Sequence, residues 1–465
     1  MNHKKLGLPS AISICVGLIV ASSCLLLLGT GVGLAGKWFV LSMGIVLVLN
    51  VCLALSFGEL HALMPEVDGG LGQYTKAGLG PVVSIVANTS AYVIVNILAG
   101  SVEVAMCGQV ISETFLPMLP APVVSVAILF ILSFVNYRGI DLFSKIQNLV
   151  VALLLLSLIG MGLISFFHLG TGAPVDAAAQ AAPVAGSFSG AVSLSAMAFW
   201  LFIGIEFVIP VANQLKNPKR DVMLAMMLGL VMLFVIQSLL GTGMTHYVTY
   251  EELSTSSLPH IVFARNLLGR AGEIWMAFVT LLASVSTANT LLSSVPRILA
   301  GMAENDMMPS VLGKKNRFGT PVGGIVLIAG GIAALIVTGF TASAGLGNLL
   351  LAASCFWLTS YILVNLTVLA LRRRYPDHPA RNRRLTLFGI PQILGIVGNV
   401  YMIWHIAEGD ARILIYKLFL TLMVILVAFA LVWVKVVKKQ SAFAVADIDE
   451  INSRAAELTA DSQVA

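Results

Sequence analysis

Charge is what this sequence has least of. Only 11% of its 465 residues are Asp, Glu, Lys or Arg, where a soluble domain carries about 25%. That shortage excludes a water-soluble globule of this size. Cysteine is scarce too. Cys15, Cys24, Cys52, Cys107 and Cys355 all fall inside apolar runs, show no metal-ligand spacing and are odd in number. This argues against a disulfide framework and makes them small core hydrophobes. There is no HExxH, no Walker-type phosphate loop and no pair of catalytic carboxylates, so nothing points to an enzyme. Neither a metal nor a cofactor is expected.

Apolar residues fill the space instead, at 58% of the chain with a mean hydropathy of +0.95. Runs of about 20 apolar residues are long enough to cross a bilayer as helices. Twelve such runs are predicted, at 8–35, 38–64, 82–112, 121–137, 146–168, 189–212, 221–246, 272–300, 321–340, 344–371, 386–406 and 412–435. The first is too long for a cleaved signal peptide. The expectation is an all-α polytopic membrane protein with twelve transmembrane helices.

The net charge of +5 does not point to nucleic acid, because the basic residues sit in short loops. Twenty-two of the 27 Lys and Arg fall on one side of the twelve-span count. Only Lys37, Arg265, Arg270, Arg412 and Lys417 fall on the other. The positive-inside rule then places both termini in the cytoplasm. The loop from Gly170 to Gly190 reads as a flexible external connector. Thr249–Gly269 is expected to hold a short surface helix, and Asp221 to cap the seventh run. The tail after Lys439 turns polar and acidic and is expected to be poorly ordered or a frayed amphipathic helix.

Two runs are interrupted. The sixth contains Phe199-Trp200-Leu201-Phe202-Ile203-Gly204-Ile205-Glu206 with Pro210 four residues on. Gly204 and Pro210 weaken the helix, and freed backbone groups persist at membrane depth only where they line a cavity. The first run carries Ala21-Ser22-Ser23 near its middle. The two lie five spans apart, so the halves containing them would have opposite orientation, and interrupted helices at matching places point to a transporter's central site. Small residues also serve ordinary helix packing.

Glu206 reads either as a proton-titrating or substrate-facing carboxylate or as a structural acid bonded to freed amides. Glu103 is either a second such acid or a structural partner of a polar residue. Phe199 and Trp200 would close over a substrate or stack on a cation, or pack against lipid and helices. Asn96 would meet a substrate or bridge two helices. Ser284, Ser286, Thr287 and Asn289 form a polar lining or act as helix glue.

Taken in order, these residues resemble bacterial permeases of the amino acid–polyamine–organocation superfamily over about residues 5–435. The most specific features are Phe202-Ile203-Gly204-Ile205-Glu206 followed by Lys216-Asn217-Pro218-Lys219-Arg220. Glu59 through Tyr74 and Arg297, Met308-Pro309 and Phe318-Gly319-Thr320-Pro321 support them. The resemblance implies a LeuT-like core, a five-plus-five inverted repeat over 8–371 with halves at about 8–168 and 189–371. It also implies two accessory helices at 386–435, flanked by a cytoplasmic segment 1–7 and a tail 436–465.

The resemblance further implies secondary transport of an amino acid or related amine across the bacterial inner membrane, by exchange or with H+. A polyamine or other organocation carrier is the alternative, and a polytopic membrane enzyme or a channel the reading from another class. Substrate contacts are implied at Ile19, Val20, Ala21, Ser22, Ser23, Asn96, Phe199, Trp200, Ile203 and Gly204, and proton coupling at Glu206 with Glu103. The family usually writes the first break Gly-Ser-Gly. The added Cβ atoms of Ala21 and Ser23 limit backbone approach and put its usual grip on an α-amino acid in question. The position matching the family's fifth-span lysine is apolar here, near Leu154. Oligomeric state is left open.

Overall fold

The computed structural model describes residues 6–67, 70–139, 147–176, 180–380 and 387–453. Lys4, Lys5, Gly69, Lys145, Arg381, Arg383, Arg384 and Arg454 lie outside them. Apart from two isolated bridges, Leu6 with Leu215 and Lys315 with Pro321, the described chain is helix and loop. Seven helical stretches among these residues are long and apolar enough to cross a membrane, and five shorter apolar helices accompany them. The protein is a multi-pass membrane protein.

The first run is two helices, α1 (Leu8–Ile19) and α2 (Ser22–Ala35). Next come α3 (Phe39–Leu63) and the amphipathic α4 (Leu71–Leu79). The third run is a single rod, Pro81–Phe115, built from α5 (Pro81–Thr89) and α6 (Val95–Val110), each continued by one π-helical turn. α7 (Ala121–Tyr137) and α8 (Gln147–Phe166) follow. The sixth run holds α9 (Phe188–Ser193), α10 (Ser195–Phe199), one 3-10 turn at Trp200–Phe202 and a 3-10 stretch at Ile205–Gln214. Then come α11 (Pro218–Tyr247), α12 (Tyr250–Thr255), α13 (Pro259–Glu304), which kinks at Gly269, and α14 (Val322–Val337). α15 (Ser343–Arg374), α16 (Ile390–Trp404) and α17 (Gly409–Val432) complete the helices.

Proline sets several of these starts. Pro9, Pro81, Pro122, Pro218, Pro259 and Pro391 all sit in a first turn, where the missing N–H has no helical acceptor to lose. Pro218 starts α11 early enough that Asp221 lies inside the first turn, and the N-cap is Asn217. The expected cap at Asp221 is therefore corrected. Thr249 opens α12 by accepting from Glu252 N, half of a capping box.

Burial divides the helices. α17 leaves Ile413, Leu420, Val424, Ile425 and Val432 exposed, a lipid-facing stripe. α15 is enclosed, with Phe356, Leu358, Tyr361 and Val364 almost wholly buried. Arg372 at its end donates to both carboxylate oxygens of Glu59 on α3, at 2.6 and 3.0 Å.

One peripheral expectation is corrected. The connector after Gly170 is tied down along its described part. Thr171 N bonds Leu267 O, Val175 N bonds His246 O, and Ala185 N bonds Leu34 O. Of the two readings of the tail, its described end takes the helical one, over 448–453, and is docked. Ile448 is fully buried, Tyr375 donates to Asp447, and Asn452 donates to Leu63 O.

Close approach also fixes the cap over α2. A Cβ on Gly33 would meet Ser254 N at 2.5 Å and Tyr250 O at 2.7 Å. Gly33→Ala forces α12 off this seat, and we expect a loss of about 1–3 kcal/mol, read as a lowered melting temperature of purified protein.

Candidate functional site

The gap between α1 and α2 is two residues long. Val20 (φ −76°, ψ 89°) and Ala21 (φ −111°, ψ 166°) leave the helix. The new helix therefore begins in the middle of the first run, with first-turn amides that have no helical acceptors. A carboxylate eighty residues away meets them. Ser23 N donates to Glu103 Oε1 at 3.0 Å. Ser22 Oγ donates to Glu103 Oε2, and is also paired with Ser284 Oγ of α13. An anion at a helix start is favoured by both the free N–H groups and the helix dipole. Glu103 is 2% exposed, so these bonds replace its hydration.

The sixth run breaks opposite the first. Ile203 is extended (φ −75°, ψ 136°), and Gly204 takes φ 101°, a conformation open to glycine and costly for L side chains. Gly204 N donates to Tyr361 Oη at 3.3 Å. That hydroxyl donates in turn to Glu206 Oε2 at 2.8 Å, and Trp357 Nε1 donates to Glu206 Oε1 at 3.1 Å. Glu206 is thus a buried acid held by two neutral donors of α15. Gln237 of α11 supplies a donor to Leu201 O at 2.8 Å. The two breaks touch through Trp200, whose Nε1 donates to Ser23 Oγ at 3.1 Å.

Between them lies a cavity of about 230 Å³, room for a small solute and not for a peptide. Ile19, Ala21, Ser23, Asn96, Glu103, Trp200, Ile203 and Thr287 line it. From the breaks it extends along α13 past Thr290 and Ser294 to Ile298, and along the Pro81–Phe115 rod back to Tyr92. Tyr92, Phe207 and Trp357 form one wall, with ring centroids 5.8–6.4 Å apart. Tyr92 sits in the π-helical turn Ser90–Ile94, a distortion common at functional sites.

Other residues singled out from the sequence lie beside the cavity. Val20, Ser22, Phe199, Gly204 and Glu206 are not in its lining. Phe199 packs edge-on against Tyr361 at 5.7 Å. Asn289 accepts from Asn136 Nδ2 at 2.8 Å and joins α13 to α7. Ser286 is buried and away from the lining. Sequence reasoning passed over Trp357, Tyr361 and Tyr92. The first two sit four residues apart on one helical face, a readable pattern, but nothing local ties that face to Glu206.

A multi-pass helical protein with two broken helices meeting at a central cavity is built as a transporter. The amino acid permease family model matches residues 6–441, and the chain belongs to that family, within the amino acid–polyamine–organocation superfamily. It is 24% identical to the branched-chain amino acid permease BcaP of Bacillus subtilis, over 84% of this chain and 85% of that protein. It is 23% identical to the inner membrane transport protein YbaT of Escherichia coli, over 92% and 96%. Against the E. coli putrescine transporter PotE the identity is 23%, over 68% and 72%. A solved manganese transporter of Eremococcus coleocola shares the fold, with a TM-score of 0.59 at 14% identity over 91% of this chain and 93% of that one. The chain is a permease and not an enzyme.

Proposed function

We propose that this permease moves an amino acid or related amine across the cytoplasmic membrane by alternating access. The helices described above would supply twelve crossings if the Pro81–Phe115 rod and the broken first and sixth runs each count once. The first ten would form two inverted halves of five, with α16 and α17 accessory and both termini cytoplasmic. The Trp200–Ser23 hydrogen bond carries this reading, because it joins the two breaks at one cavity. Ile19, Ala21, Ser23, Trp200 and Ile203 at the two breaks, with Asn96 and Thr287, would hold the solute. Ser286 and Asn289 would support the α13 wall. Glu206 would couple protonation to the change of state, with Glu103 as the second acid of the site.

The cavity extends from the breaks toward Tyr92 and Ile298, the side that the charge distribution assigns to the cytoplasm. With that orientation, the conformation described would be inward-facing. Counterflow into proteoliposomes tests the carrier. Labelled solute should accumulate only when unlabelled solute is present on the far side. Flux that needs no counter-substrate and does not saturate would mark a channel instead.

A further inference from the structure

Building on that transport reading, we infer that the substrate is an amine without a carboxylate, held by Glu103 at the start of α2. The broken first helix offers amides to an anion, and the protein has filled that place with its own carboxylate through Ser22 and Ser23. A substrate carboxylate would have to displace Glu103 or crowd beside it as a like charge. Nothing in the lining would compensate, since among the described residues no Lys, Arg or His borders the cavity. Glu206 stands beside the cavity with its oxygens engaged by Trp357 and Tyr361.

A cation meets the opposite situation. Glu103 borders the cavity and its spare lone pairs can accept from an ammonium, a charge-assisted bond. Trp200, Tyr92 and Trp357 border the cavity, and the faces of such rings attract cations. Ala21 stands in the break and Ser23 in the first turn of α2, and their Cβ atoms limit how closely a carboxylate can approach the backbone without hindering an ammonium that reaches the Glu103 side chain. Glu103 therefore supplies in the protein the charge that an amino acid would bring with it.

The test uses purified full-length protein and three pairs, each an amine and its parent amino acid: putrescine and ornithine, agmatine and arginine, isobutylamine and valine. Binding is read by thermal shift and movement by counterflow. At least one amine should bind tenfold or more tightly than its parent, and the parent's methyl ester should behave like the amine. If every parent binds as well as its amine or better, this inference falls and the transport reading stands. If neither series binds or moves, the transport reading falls and this inference goes with it. Glu103→Gln keeps an acceptor for Ser23 N and places an amide donor that Ser22 Oγ can accept, but removes the charge, so amine affinity should drop tenfold or more in protein that still elutes as a single folded species. Unchanged affinity in that variant would make Glu103 a helix cap only, and would overturn the assignment.

Discussion

Arg372→Met should destabilise the protein by up to about 3–5 kcal/mol, the cost of taking one cation out of a buried ion pair. Glu59 is 7% exposed and Arg372 15% at the side chain, and the guanidinium grips both oxygens. The pair joins the end of α3 to the end of α15, so its loss loosens two long helices at once. The double variant Glu59→Met, Arg372→Met removes both desolvated charges together and should recover most of the loss. Unfolding of the two variants beside the parent protein, at one detergent concentration, measures this. Equal damage from the single and double changes would mean that packing of the side-chain stems, and not the charge, holds these ends together.

The second large effect is on coupling. Glu206→Gln should abolish the pH dependence of transport while leaving the fold intact. The substitution suits the site, because an amide oxygen still accepts from Trp357 Nε1 and the amide nitrogen can donate to Tyr361 Oη. What disappears is the ability to gain and lose a proton. Glu206 is linked directly to Gly204 through Tyr361, so a change of its charge acts on the hydrogen bond at the break itself. A single titrating group alters the ratio of its two forms tenfold for each pH unit, about 1.4 kcal/mol, enough to bias two conformations of similar energy. Initial rates in reconstituted vesicles across pH 5–8 provide the check. A Glu206→Gln variant with the parent's pH profile would assign the coupling elsewhere.

Much of this architecture was legible because it follows from local chemistry. Apolar length marks the crossings, prolines mark the starts, and Gly204 with Pro210 marks a helix that cannot continue. The partners of the broken segments were not legible. Glu103 and Ser23 are eighty residues apart, and Glu206 and Tyr361 more than 150. No periodicity within one helix says which face another helix will meet. The docking of the tail was hidden for a related reason. Asp447, Asp449 and Glu450 make the stretch polar and acidic, yet Ile448 between them is buried and Tyr375 binds Asp447. One apolar residue in a polar run is a weak signal until the surface that receives it is known. The connector past Gly170 is similar, since its ties are backbone bonds that side-chain composition does not reveal.

The most direct test of the central claim is chemical access to the chamber beside the two breaks. In a cysteine-free background, Ser294→Cys places a thiol on the cavity wall. A membrane-impermeant maleimide added from the cytoplasmic face should label it, and bound substrate should slow that labelling. Labelling from the external face alone, or labelling that no transported solute can slow, would contradict a carrier built around the two broken helices.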